Sequence, residues 1–348
     1  MFSNFNIIIY VSILALLIIP INTISSYSQS GTILKNQNNT SLSTKNLSAS
    51  NNTLSNITLP INYKFKFKWG SFGSGPSQFN RPHDIVLDKQ GNIYVSDRDN
   101  NRIQKFTHNG TFIKTWGTKG SGDGQFSIPY SIAIDRDGNL YVADRENSRI
   151  QKFDSNGTFL AKYGTDGKGN GQFHRPEDVR IEPHTGDIYV TDTYNNRIER
   201  FDKNFSFITK WGTAGTGDGQ FQLPHAIGFD SKGRVYVDEL RRPGVQIFDS
   251  NGKFLGKWGS LGTGDGQFSL PEEHLTVDSH DRIYIVDGAK NPRIQIFDPE
   301  GHLLGKFGTD GTGDGQLRKP EHLFIADNGD AYVVDRGNQR IQVFTLVK

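Results

Sequence analysis

Six times the chain returns to one pattern. Its prolines mark the period: Pro82, Pro129, Pro176, Pro224, Pro271 and Pro320, spaced 47, 47, 48, 47 and 49 residues apart. The copy over 122–153, GDGQFSIPYSIAIDRDGNLYVADRENSRIQKF, carries every part. A Gly-rich turn leads into the proline and an apolar alternation that ends on an acid. A D-G-N turn, a Tyr-Val run, an Asp and an R-I-Q-x-F segment follow. A fixed period of this length marks stacked supersecondary units. Each period holds four strand signals, in the second at 131–134, 140–143, 149–153 and 158–163. Alternating Val, Ile, Tyr and Phe between Gly and Asn turns suits half-buried strands. Four strands repeated six times predict an all-β fold, a six-bladed β-propeller of four antiparallel strands per blade. A linear solenoid of the same units needs capping repeats, and none is visible.

The ends of the repeat region supply an independent expectation. The last copy stops at Arg340-Ile341-Gln342-Val343-Phe344, its third strand. A spare fourth strand stands before the first copy, over 63–69, and matches the K-x-W-G ending of later copies at Trp116, Trp211 and Trp258. Pairing it with the last copy closes the ring and removes an exposed sheet edge. Its alternating lysines suit an outermost strand with one solvated face.

The propeller is expected over 62–348. Before it, 7–21 is almost wholly apolar, which predicts a signal peptide or an N-terminal membrane anchor within 1–28. The stretch 29–61, rich in Asn, Ser and Thr, reads as a disordered linker, because it cannot bury enough apolar surface to offset chain entropy. N-x-[ST] sequons at Asn38, Asn39, Asn46, Asn51, Asn56, Asn109, Asn156 and Asn204 agree with export and a glycosylated stalk. Zero cysteines exclude disulfides and thiolate metal sites, and a formal charge of +2 gives no pull toward nucleic acid.

The pattern P-x-x-I-x-x-D … Y-V-x-D-x-x-N-x-R-I-Q-x-F resembles the NHL repeat, which implies a six-bladed propeller. Blade 4 departs from it, with Glu239 in place of the Asp and Gly244 in place of the Arg. Features present in every blade read as architecture. The Gly-rich loops are blade-to-blade connections, and the Asp/Arg couples Asp97/Arg102, Asp144/Arg149, Asp192/Arg197 and Asp335/Arg340 pair within their blades.

Function is sought where the copies differ. Counting five back from Asp88, Asp135, Glu182, Asp230, Asp278 and Asp327 selects His83, Tyr130, Glu177, His225, Glu273 and His322 at the channel entry of the innermost strands. Counting from the proline selects Glu272 and Glu321 in the last two blades instead. Imidazole and carboxylate are ligands for Zn²⁺ and similar ions where thiolates are absent, and a hydrated polar funnel without metal is the plainer reading. Zn or Ca is the metal considered, with His225 and His322 as ligands.

Blade 2 also resembles a segment of the peptidylglycine amidating lyase branch. That resemblance implies zinc held by His from three alternate blades, with a catalytic Tyr and Arg nearby. The even blades here supply Tyr130, His225 and His322, so one of the three places departs from the pattern. Arg145 matches the arginine of A-D-R-E-N, and Tyr194 resembles the tyrosine of the S-D-G-Y segment, but the two matches imply different blade registers. Separately, Arg98, Arg145 and Arg336 follow the blade Asp in three blades that become neighbours once the ring closes, an arrangement suited to anion recognition.

The function expected from these features is an exported, non-catalytic binding scaffold for a protein, peptide or glycan ligand on its loop face. It is expected to be extracellular or at the cell surface, monomeric, and in contact with the membrane only through its N-terminal segment. The alternative is a metal-dependent lyase or hydrolase using the channel ring. RNA binding, known among intracellular NHL proteins, is disfavoured by the export signal and the lack of a basic run.

Overall fold

The computed structural model describes residues 60–269, 273–288 and 290–347, with the backbone alone at Glu273. The expected signal or anchor, and all of the linker before Pro60, lie outside the described residues. The described residues form six four-stranded antiparallel sheets, with three short two-stranded parallel pairs in the Gly-rich loops between them. Blade 2 shows the scheme: Pro129–Ile134 innermost, then Leu140–Asp144 and Arg149–Phe153, and Phe159–Tyr163 outermost.

Blade 6 closes the ring as expected. Leu323–Ile325, Ala331–Asp335 and Arg340–Leu346 come from the C-terminal end, and Tyr63–Trp69 supplies the outermost strand. Tyr63 lies opposite Leu346 and Trp69 opposite Ile341. The aromatic residues of this strand face inward and its lysines outward. Lys66 reaches Asp330 at 2.7 Å, and Ile61 N donates to Leu304 O at 2.9 Å on the outer edge of blade 5.

The repeated sequence letters have repeated physical jobs. Asp144 accepts from Ser127 N at 2.7 Å, Arg149 Nε at 2.8 Å, Asn147 Nδ2 at 2.8 Å and Gln151 Nε2 at 3.1 Å. Arg149 in turn donates to the carbonyls of Ser121, Gly122 and Gln125 and so clamps the Gly-rich loop. The D-x-x-N-x-R-x-Q motif is therefore one buried node, bonded in the same way in blades 1, 2 and 6, that fixes the entry to the blade. Blade 4 keeps a weaker version, with Arg242 Nη1 at 3.8 Å from Glu239.

Blades pack through aromatic residues. The Trp116 ring of blade 1 lies against Gly157 in the S-N-G turn of blade 2, where a Cβ would sit 2.4 Å from the ring. Gly157 also has φ +79°, so glycine is needed both for the turn and for the close approach. Trp211 and Gly252 repeat the arrangement, as do Trp258 and Gly301.

Candidate functional site at the blade entry

The innermost strands run the same way around the axis, so the residues just after each proline meet at one end of the channel. His83, Tyr130, Glu177 and His225 stand there in equivalent positions, and Glu273 opens its own strand with its side chain outside the described set. In blade 6, Leu323 pairs with Val333 as Ile85 pairs with Val95 in blade 1. Glu321 therefore completes the ring, and His322 lies one residue deeper, level with Asp84. The reason is local. Ala326, not Asp327, holds the turn position of Asp88, its N–H donating to Asp330 O at 2.9 Å as that of Asp88 does to Asn92 O.

The ring fills the channel instead of lining it. His83, Glu177, His225, Glu321 and His322 are at most 2% exposed, and Tyr130 is 8% exposed. Arg145 Nε donates to Glu177 Oε1 at 2.7 Å, and Arg336 Nε lies 2.7 Å from Glu321 Oε2. His83 Nε2 lies 2.9 Å from the other oxygen of Glu321. The guanidinium carbons of Arg98 and Arg145 stand 5.3 and 5.4 Å from the centre of the Tyr130 ring, which also packs on His83 at 3.5 Å between ring centres. Burial, followed by the nearby Arg98, pushes the His83 imidazole well below its ordinary range, so it is neutral. Burial and the Glu177 and Glu321 carboxylates raise the Tyr130 phenol.

Below the ring lies a second polar layer that the sequence pattern did not reveal. Arg180, from the middle of Val179–Ile181, crosses the channel. Its Nη2 donates to His322 Nε2 at 3.0 Å and lies 3.3 Å from Asp84 Oδ2, while its Nε lies 3.0 Å from Asp178 Oδ1. His322 Nδ1 lies 2.6 Å from Asp84 Oδ1. Against the cost of burial, His322 and Arg180 hold the Asp84 carboxyl well below the usual carboxylate range. His274 stands between the two expected metal ligands, its ring centre 5.3 Å from His225 and 4.2 Å from His322. Asp238, 3.9 Å from His225 Nδ1, is pushed up to about 7 by burial.

The donor set does not suit a cation. Both nitrogens of His322 are engaged, one beside a carboxylate and the other by a guanidinium that would repel a metal ion. Among the described residues, no three His, Asp or Glu side chains are placed to hold a metal together.

The structure brings together Arg145 and Tyr194, the two lyase-like residues. Tyr194 follows Asp192 in the short 3₁₀ turn Thr193–Asn195 of blade 3, and Arg145 starts the corresponding turn of blade 2. Arg145 Nη2 donates to the Tyr194 hydroxyl at 3.2 Å. The guanidinium carbons of Arg145 and Arg175 stand 5.4 and 5.1 Å from the centre of the Tyr194 ring, and His174 meets its edge at 5.7 Å. Tyr194 is 37% exposed. Arg98 has a looser partner, with its Nε 3.5 Å from Asp99 Oδ1.

The model of the NHL repeat matches residues 79–106, 126–153 and 173–201, the core of blades 1, 2 and 3. Three of the six blades thus match the NHL repeat. Among curated proteins, human NHL repeat-containing protein 3 is 42% identical over 55 residues, 15% of this chain and 16% of that protein. Protein lin-41 of Caenorhabditis elegans is 44% identical over 45 residues, 13% of this chain and 4% of that protein. The matched stretches thus span a small part of either relative. Solved structures share the NHL propeller's fold at low identity. Virginiamycin B lyase from Staphylococcus aureus matches with TM-score 0.55 and 14% identity, covering 82% of this chain and 100% of that one. A gluconolactonase from Xanthomonas campestris matches with TM-score 0.58 and 13% identity, covering 78% and 88%.

Proposed function

We propose that this NHL propeller is an exported, non-catalytic recognition module that binds a protein, peptide or glycan through the blade-entry face. One observation carries the reading: an exposed Tyr194 ring packed against the Arg145 and Arg175 guanidiniums and hydrogen-bonded to Arg145. Tyrosine and arginine are enriched in binding hot spots, and a ring already held by its neighbours loses little entropy on contact. Beneath it, the bond from Arg145 to buried Glu177 anchors the patch to the rigid axis. The Glu177 and Glu321 carboxylates face Arg145 and Arg336, which favours their charged, unreactive form over service as general bases. Placement outside the cell or on its surface rests on the apolar stretch 7–21 and the sequons.

Tyr194→Ala tests this directly, because the side chain is partly exposed and its removal leaves the fold intact. Labelled protein is applied to peptide and glycan arrays. The wild type is expected to give discrete signals, and the variant to lose at least ten-fold in each while melting within about 2 °C of the wild type. Absence of specific signals, or signals indifferent to the substitution, contradicts the proposal.

A second reading, lyase or hydrolase chemistry, is favoured by the hydrogen bond from Arg145 to the Tyr194 hydroxyl. It needs a metal or another electrophile at the ring, where the Arg145 and Arg336 guanidiniums already face Glu177 and Glu321.

A further inference from the structure

At the opposite end of the channel, below Arg180, the innermost strands enclose a cavity of about 300 Å³. Its walls are apolar, with Leu87, Ile134, Phe229, Val277 and Phe324 among them, and Arg180 and His322 stand at its inner end. It shares Phe229, Val277 and Phe324 with a wider outer depression of about 740 Å³, which is rimmed by turn residues such as His184, His280 and Asn328. An apolar concavity with a few polar groups at one end has the form of a small-molecule site.

We propose that this throat binds a neutral, apolar small molecule whose single carbonyl or hydroxyl oxygen accepts a hydrogen bond from Arg180. The charge of the inner end decides the class of ligand. Arg180 already faces two carboxylates, Asp84 and Asp178, at 3.3 and 3.0 Å, and His322 accepts from it through Nε2, which takes the neutral ring, so the group carries a net negative charge. A ligand carboxylate would meet that excess beside the buried Asp84 and Asp178 and be repelled. A neutral acceptor escapes the repulsion. Among the described residues, Nη1 of Arg180 bonds to Ile132 O alone, at 3.2 Å, so its second N–H remains available. The strand positions level with Arg180 in the other blades hold Val86, Ala133, Gly228, Thr276 and Phe324, so the donor comes from one side only. Such asymmetry fixes the orientation of a bound molecule. The site lies at the far end of the axis from Tyr194, and the two proposals stand or fall separately.

Fluorescence titration of the intact protein with the neutral dye N-phenyl-1-naphthylamine, competed by 2-octanone or octanoate, provides the test. One dye per chain is expected, displaced by 2-octanone at a concentration at least ten-fold lower than octanoate requires. Thr276→Phe, which places a ring in the throat, is expected to weaken dye binding at least ten-fold. Arg180→Met is expected to abolish the preference for the ketone. Because this variant leaves Asp84 and Asp178 without their cation and can fail to fold, Thr276→Phe is the deciding arm. No dye binding, binding that survives Thr276→Phe, or octanoate competing as well as 2-octanone overturns the proposal.

Discussion

Deleting residues 62–69 is expected to abolish the cooperative melting transition of the whole propeller. The strand Tyr63–Trp69 is the outermost member of blade 6, yet it is the link that makes the ring continuous. Tyr63 packs on Phe307 at 4.6 Å between ring centres, Phe65 on Phe344 at 6.4 Å, and Trp69 on Phe106 of blade 1 at 5.7 Å. Half-burial of four aromatic residues contributes roughly 5 kcal/mol, a large share of the ~5–15 kcal/mol that keeps a domain folded. The deletion also leaves Arg340–Leu346 as a long, unpaired, hydrophobic edge open to aggregation. Calorimetry checks this: loss or broadening of the transition is expected. A deletion variant that melts sharply at the wild-type temperature contradicts closure by this strand.

Asp144→Ala is expected to cost about 4 kcal/mol, a fall in Tm of about 10 °C, because it strands several buried donors together. Arg149, Asn147, Gln151 and the Ser127 N–H all give hydrogen bonds to that one carboxylate. The arginine left behind is a buried charge without its counter-ion. Asp123→Ala is the matched control. It removes the rim pair Lys162 Nζ–Asp123 at 2.7 Å, which is half exposed, and surface pairs of this kind contribute less than about 1 kcal/mol. Thermal melts of the two variants should therefore differ widely. Similar melts would show that the repeated Asp is not the keystone of its blade.

The fold was legible because the repeat states it six times, and each turn glycine and strand aromatic reports the same local physics. Ring closure was legible from the missing strand at one end and the surplus strand at the other. The site was only partly legible. Four ring members, His83, Tyr130, Glu177 and His225, follow from counting within a blade. The count slipped in blade 6 because Asp327 sits one residue past the turn position that Ala326 occupies. Arg180, His274 and Asp238 were not singled out, though each left a trace. Arg180 is a charge in mid-strand where sibling copies carry Val86, Ala133 and Gly228, and Asp238 replaces the small or apolar Ser96, Ala143 and Val286. What a repeat alignment cannot supply is the partner across the axis. Arg180 of blade 3 meets His322 of blade 6 and Asp84 of blade 1, contacts that exist only once the ring has closed. The meeting of Arg145 with Tyr194 was hidden for a related reason. Matching each residue to a different register concealed that adjacent blades place them side by side.

We infer that the axial histidines and carboxylates form a buried polar core threaded by arginines and leave recognition to the face above it. Metal content, measured by elemental mass spectrometry on protein purified without chelator, tests this most directly. About 0.1 equivalents or less of zinc or calcium per chain is expected, with the same Tm with and without EDTA, because the Arg180 guanidinium lies between His322 and the Asp84 and Asp178 carboxylates. One equivalent of metal, lost in His225→Ala and in His322→Ala, would contradict the claim and return the ring to metal-dependent chemistry.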